Sequence, residues 1–229
     1  MTEQATGTPF IVSVRGEATL EVDPELCEFA VTVMARGKDR RAALDQLTSQ
    51  NKQLLDTLKS EYGDALERLE TGLFSVYPES RLKRGDRAAY QGSVRTRVVV
   101  KDFTVLGEMV TKVADLVRSS VNGPYWSLRP DSEAYRRARG EAVDEAVRRA
   151  REYAAALGST LTAVLELADT GMSHHGLMPM APQARVMTAV AGPGGAPDSG
   201  PAPLDLEPVR QSVYAAVEAR FSATQPERL

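Results

Sequence analysis

From Phe10 to Gly37 the chain reads FIVSVRGEATLEVDPELCEFAVTVMARG, alternating apolar and polar side chains on both sides of one Asp23-Pro24 turn. A period of two places successive side chains on opposite faces of an extended chain, so this stretch predicts half-buried strands and excludes an all-helical fold. The apolar face carries Phe10, Val12, Val14, Gly16, Ala18, Leu20 and Val22. After the turn it passes to Cys27, Phe29, Val31 and Val33.

Downstream the period changes. Asp39 can cap a helix whose stripe is Leu44, Leu47, Leu54, Leu55 and Leu58, with charges elsewhere. Leu69 to Tyr77 and Tyr90 to Lys101 read as two strands of an antiparallel hairpin, joined by the charged loop ESRLKRGDRAA. Asp102 opens a second helix through about Arg118, striped by Leu106, Met109, Val110, Val113, Leu116 and Val117. Asn122-Gly123-Pro124 then breaks the chain before a brief strand from Tyr125 to Arg129.

Pro130-Asp131-Ser132 is a helix start, and alanines at 134, 138, 142, 146, 150 and 154 predict a small-residue ridge that lets the third helix approach its neighbour closely, up to Leu157-Gly158. Thr160 to Ala168 is a strand with Leu161, Ala163, Leu165 and Leu167 on one face. Val209 to Phe221 is the last, with Val213, Ala215, Val217, Ala219 and Phe221 on its apolar face. The predicted class is α+β, a mainly antiparallel sheet packed against three amphipathic helices. The expected organisation is a disordered start over 1–8, one domain over 9–223 containing a long Gly, Pro and Met rich loop at 171–203, and a disordered tail at 224–229.

Composition removes several function classes. Lys plus Arg number 28 against 31 Asp plus Glu, a formal charge of -3, so nothing attracts nucleic acid or anionic lipid in general. No stretch has the ~18 consecutive apolar residues of a membrane span. The polar start MTEQATGTPF lacks the basic and apolar regions of a secretory signal, which makes the cytoplasm the expected location. The single Cys27 lies on an apolar strand face and reads as a buried, inert thiol.

No catalytic residue, cofactor site or metal site is assigned. Asp23, Glu25 and Glu28 read as solvent-facing carboxylates at a turn. Trp126 beside Tyr125 reads as core packing of a strand against the third helix. Arg136, Arg137, Arg139, Arg148, Arg149 and Arg151 interleave with Glu141, Asp144, Glu145 and Glu152, the pattern of a solvated face with i to i+4 pairing. Arg95 and Arg97 make a more open basic edge. Met172, His174, His175, Met178, Met180 and Met187 gather imidazole and thioether in one loop, ligands suited to soft copper ions, and a loop that contacts a partner is the alternative reading.

Four segments in order resemble the SIMPL domain family, also called DUF541, which includes periplasmic immunogenic and oxidative-stress defence proteins. They are VRGEATLEVDPELCEFAVTVMARGKDRRAAL, then FSVYPE with YQGSVRTRVVVKDFTVLGEMV, then VNGPYWSLRPDSEAYRRARGEAVDEAVRRAREYAAALG, and the closing VRQSVYAAVEARF. The resemblance covers roughly residues 10 to 223 and brings no catalytic residues. It implies a non-enzymatic homo-oligomer with a part in stress tolerance, since exported relatives form ring-like or channel-like assemblies. The expected route to assembly is edge pairing by strand 209–221 or 90–101, completed by the 171–203 loop. The alternative function is a small-ligand or copper-binding protein using residues 172–187.

Overall fold

The computed structural model describes residues 10–79, 89–116, 118–172 and 202–227. Among them are seven strands and three helices in α+β order, as the periodicity predicts. Contacts divide the chain into two compact units, one of residues 1–22, 130–192 and 212–229, the other of residues 23–129 and 193–211.

The first unit holds β1 (Phe10–Val22), α3 (Glu133–Ala156), β6 (Leu161–Asp169) and β7 (Gln211–Ala223), its sheet ordered β1-β7-β6. The second holds β2 (Leu26–Gly37), α1 (Arg40–Tyr62), β3 (Leu66–Pro78), β4 (Tyr90–Val100), α2 (Leu106–Ala114) and β5 (Ser119–Ser127), in the order β3-β4-β2-β5. The Asp23-Pro24 turn therefore does not close a hairpin. The two strands it separates enter different sheets, so the single sheet of the sequence reading is two.

In the second unit the alternation of β2 meets that of β4 in one register, Phe29 opposite Val98, Val31 opposite Thr96 and Val33 opposite Val94, all buried. Leu54 and Leu58 of α1 and Leu106, Met109 and Val113 of α2 close over them. Each fully buried aliphatic or aromatic side chain contributes about 1.5–3 kcal/mol, enough for these few positions to decide the layer. Asp39 Oδ1 accepts the Ala42 amide at 2.8 Å, and Asp102 Oδ1 that of Thr104 at 3.0 Å, so both predicted caps form.

The helix after Asp102 begins as a 3-10 turn over Phe103–Val105 and ends at Ala114, short of the expected Arg118. Val117 of its stripe lies outside the described residues, as does the hairpin loop over 80–88. Asn122-Gly123-Pro124 does not break the chain. It lies within β5, which begins at Ser119, where the register against β2 shifts between Glu28 and Ala30. Gly123, at φ 139°, passes so close to Phe29 that a Cβ there would sit 2.8 Å from its Cβ. Leu204 lies against α2, its amide donating to Thr111 Oγ1 at 3.0 Å, while Leu206 packs on the core.

In the first unit all six ridge alanines of α3 are buried. The ridge seats on Gly16 of β1, where a Cβ would fall 2.0 Å from the Ala142 carbonyl oxygen and 2.6 Å from the Ala146 nitrogen. Val12, Val217, Ala219 and Phe221 complete this core. Gly158, at φ 70°, ends the helix, and the Ser159 hydroxyl donates to the Thr224 carbonyl at 2.6 Å. Past β7, the Thr224 and Glu227 amides donate to the carbonyls of Thr160 and Leu157.

Two expectations about strands change. β4 and β7 are interior strands of their sheets, so neither 90–101 nor 209–221 offers a free edge. On β6 the expected face of Leu161, Ala163, Leu165 and Leu167 is replaced. Its ladder with β7 shifts between Leu161 and Ala163 and again between Val164 and Glu166, which places Leu161, Val164 and Leu167 opposite Ala223, Phe221 and Ala219. Bulges turn a period of two into steps of three.

Candidate functional site

The chemistry-bearing residues of the sequence do not converge. Glu25 accepts the Arg129 amide at 2.9 Å, Glu28 pairs with Arg97 at 2.8 Å, and Asp23 reaches Arg210 at 3.3 Å, three separate destinations for the carboxylates near the turn. Cys27 is fully buried on the core face of β2, and burial, with a smaller contribution from Glu28, pushes its thiol up to about 12. It is a packing residue that stays protonated at physiological pH. Tyr62 is also pushed up to about 12, first by burial and then by donating its hydroxyl to Glu108 Oε1 at 2.9 Å.

Among the described residues no group of three His, Cys, Asp or Glu side chains could hold a metal ion. His174, His175, Met178, Met180 and Met187 lie outside the described residues, and Met172 at the near end of that segment is exposed. Trp126 stacks edge-on against Phe103, ring centroids 5.0 Å apart, in the second unit's core. It is a core residue as expected, but its partner precedes α2 and is not the third helix. Arg97 is flanked by Glu28 and Glu70, so the basic edge read on that strand carries one cation with acidic neighbours, and Arg95 stands apart. On α3, Arg136 pairs with Glu133, and Arg148 and Arg149 with Glu145, the solvated charge ladder that the spacing predicts.

What the residues do gather is uncovered apolar surface on β6. Val164 is 61% exposed, Leu165 51% and Leu167 54%, on an outer strand whose Leu165 and Leu167 the sequence pattern assigns to the apolar face. The cause lies in α3. Its ridge locks onto Gly16, which holds the helix axis over β1. β6 lies two strand spacings, about 10 Å, away, beyond the ~5–6 Å half-width of a helix. Phe221 and Ala219, on the intervening strand, are covered, and Val164 and Leu167 opposite them are not. Leu165 falls in the second bulge and has no opposite number on β7. The bulges in its ladder with β7 also bend β6 and distort its free backbone edge, so it presents side chains more than a straight edge for strand pairing. Sequence reasoning missed this because it scored the alternation as burial. The signal available was a ridge of alanines too narrow to roof three strands.

The model of the SIMPL family, described as "Protein of unknown function (DUF541)", matches residues 12–221, nearly the whole of both units. No curated protein matches this chain.

Proposed function

The chain belongs to the SIMPL family, and we propose that it is a non-enzymatic protein that works by self-association, with a part in stress tolerance. The observation that carries the reading is β6, whose Val164, Leu165 and Leu167 are more than half exposed beside a helix seated elsewhere. Solvent-facing clusters of large apolar side chains mark contact surfaces more often than isolated ones do. Stress tolerance comes from the resemblance to oxidative-stress defence proteins.

Magnitudes define what such a contact needs. Removing the remaining exposed half of three aliphatic side chains from water contributes about 3 kcal/mol, whereas association costs at least ~4 kcal/mol in lost rotational and translational freedom. β6 alone is therefore insufficient. The contact must spread to about 1,000 Å² or more, and other exposed apolar residues of the same unit, Tyr153 and Leu157 among them, are candidates to extend it.

Light scattering from the purified chain tests this reading. A particle mass several times 24.8 kDa that falls on dilution is the expected result, and a monomer throughout the micromolar range contradicts it. The cytoplasm is part of the proposal, and fractionation of cells producing the full chain checks it.

A further inference from the structure

We propose that the groove between α1 and the outer strand β3 is a docking site for an extended peptide of alternating apolar and acidic residues, which adds to the sheet beside β3. The reading is independent of self-association and uses the other unit.

β3 ends the four-stranded sheet, so its outer backbone faces no strand among the described residues. A ladder shift between Thr71 and Phe74 leaves Gly72 and Leu73 without opposite numbers on β4. From Phe74 to Pro78 the pairing is regular, giving a short straight edge. An unpaired edge is a template for another strand. α1 does not reach over this edge. Between them runs a groove of about 470 Å³, floored by Leu47, Val94 and Phe74 and walled by Leu55, Thr71 and Asn51. Phe74 lies opposite Val94 and Thr71 opposite Thr96, so the groove lies on the core side of the sheet, where alternate side chains of an added strand would enter.

Two further observations specify the occupant. Gln50 Oε1, Asn51 Oδ1 and Thr96 Oγ1 are buried and have no hydrogen-bond partner among the described residues. They sit on the mid-portion of α1 and on the strand it crosses, and Asn51 lines the groove. Of the three only Asn51 borders the groove, and turning its carbonyl toward a docked peptide N–H would satisfy an acceptor whose orphaning costs about 1–3 kcal/mol. Lys52 and Lys59, one above the other on the groove side of α1, form no ion pair among the described residues. Asp56 between them leaves one net positive charge on the rim. Apolar floor, the Asn51 acceptor and cationic rim together fit a peptide whose inward residues are apolar with carboxylates among or after them.

The test is selection of short random peptides against the full chain, followed by fluorescence anisotropy with the enriched sequences. Enriched peptides should alternate apolar and acidic residues and bind saturably. The Lys52→Glu, Lys59→Glu double variant should weaken them about tenfold, and backbone N-methylation of the peptide should abolish binding. Both lysines are solvent-facing, so circular dichroism of the variant should match the parent. Absence of enrichment over the double variant overturns the proposal, as does selection of basic peptides or binding that survives N-methylation. A parent chain whose self-association depends on Phe74 would make a second copy the occupant, and that result also overturns it.

Discussion

At the scale of single residues, the fold is fixed most tightly where no substitute fits. Gly16 is the clearest, because the backbone of α3 occupies the volume a methyl group would take. Gly16→Ala should cost about 1–3 kcal/mol as helix and strand are forced apart, measured as a lowered urea midpoint by far-UV circular dichroism. An unchanged midpoint would mean that the ridge is not seated there. Cys27 and Tyr62 make a prediction about alkali. Each holds its proton to about 12 in the fold, against starting values of 9.0 and 10.0, so the unfolded chain ionises first. Their contribution to stability is complete below about pH 9 and is lost as pH climbs from there through about 12. Cys27→Ala should flatten the first part of that decline while lowering stability at neutral pH, and titration of the denaturation midpoint against pH checks both. In the folded chain at pH 8, the thiol should also resist a disulfide-exchange reagent that modifies it at once in denaturant.

At the scale of elements, local chemistry carried most of the boundaries. Asp39, Asp102 and Ser132 supplied cap signals that need only a neighbouring amide, and all three are observed at helix starts. Asp39→Ala should therefore cost about 0.5–2 kcal/mol, read by Trp126 fluorescence, which reports on the same unit as α1. The alanine ridge was equally legible, since a four-residue repeat of small side chains has one steric use. Other features depend on partners distant in sequence. Nothing local to Asn122-Gly123-Pro124 distinguishes a loop from a bulged strand, and only the close pass over Phe29 explains the glycine. Nothing local to β6 reveals its two bulges either, because they arise in the pairing with β7. The groove beside α1 was hidden for a similar reason. Gln50 and Asn51 interrupt an apolar stripe, but that their oxygens are buried without partners among the described residues appears only in the folded chain.

At the scale of the whole molecule, the chain leaves its first unit after β1, builds the second, returns with α3 and β6, passes once more through the second, and ends in the first with β7. One helix then serves three strands in the first unit, while two helices serve four strands in the second. The shortfall of cover in the first unit is the physical origin of the exposed β6 surface, and the SIMPL family match spans both units without naming a reaction. On the reading proposed above, this surface is where copies of the chain meet. Sedimentation velocity of the parent chain beside the Val164→Lys, Leu167→Lys double variant tests it most directly, because both side chains are already solvent-facing and their replacement should leave the fold intact. A large species is expected for the parent and a monomer for the variant at the same concentration. Identical sedimentation of the two, whether both assembled or both monomeric, would contradict it.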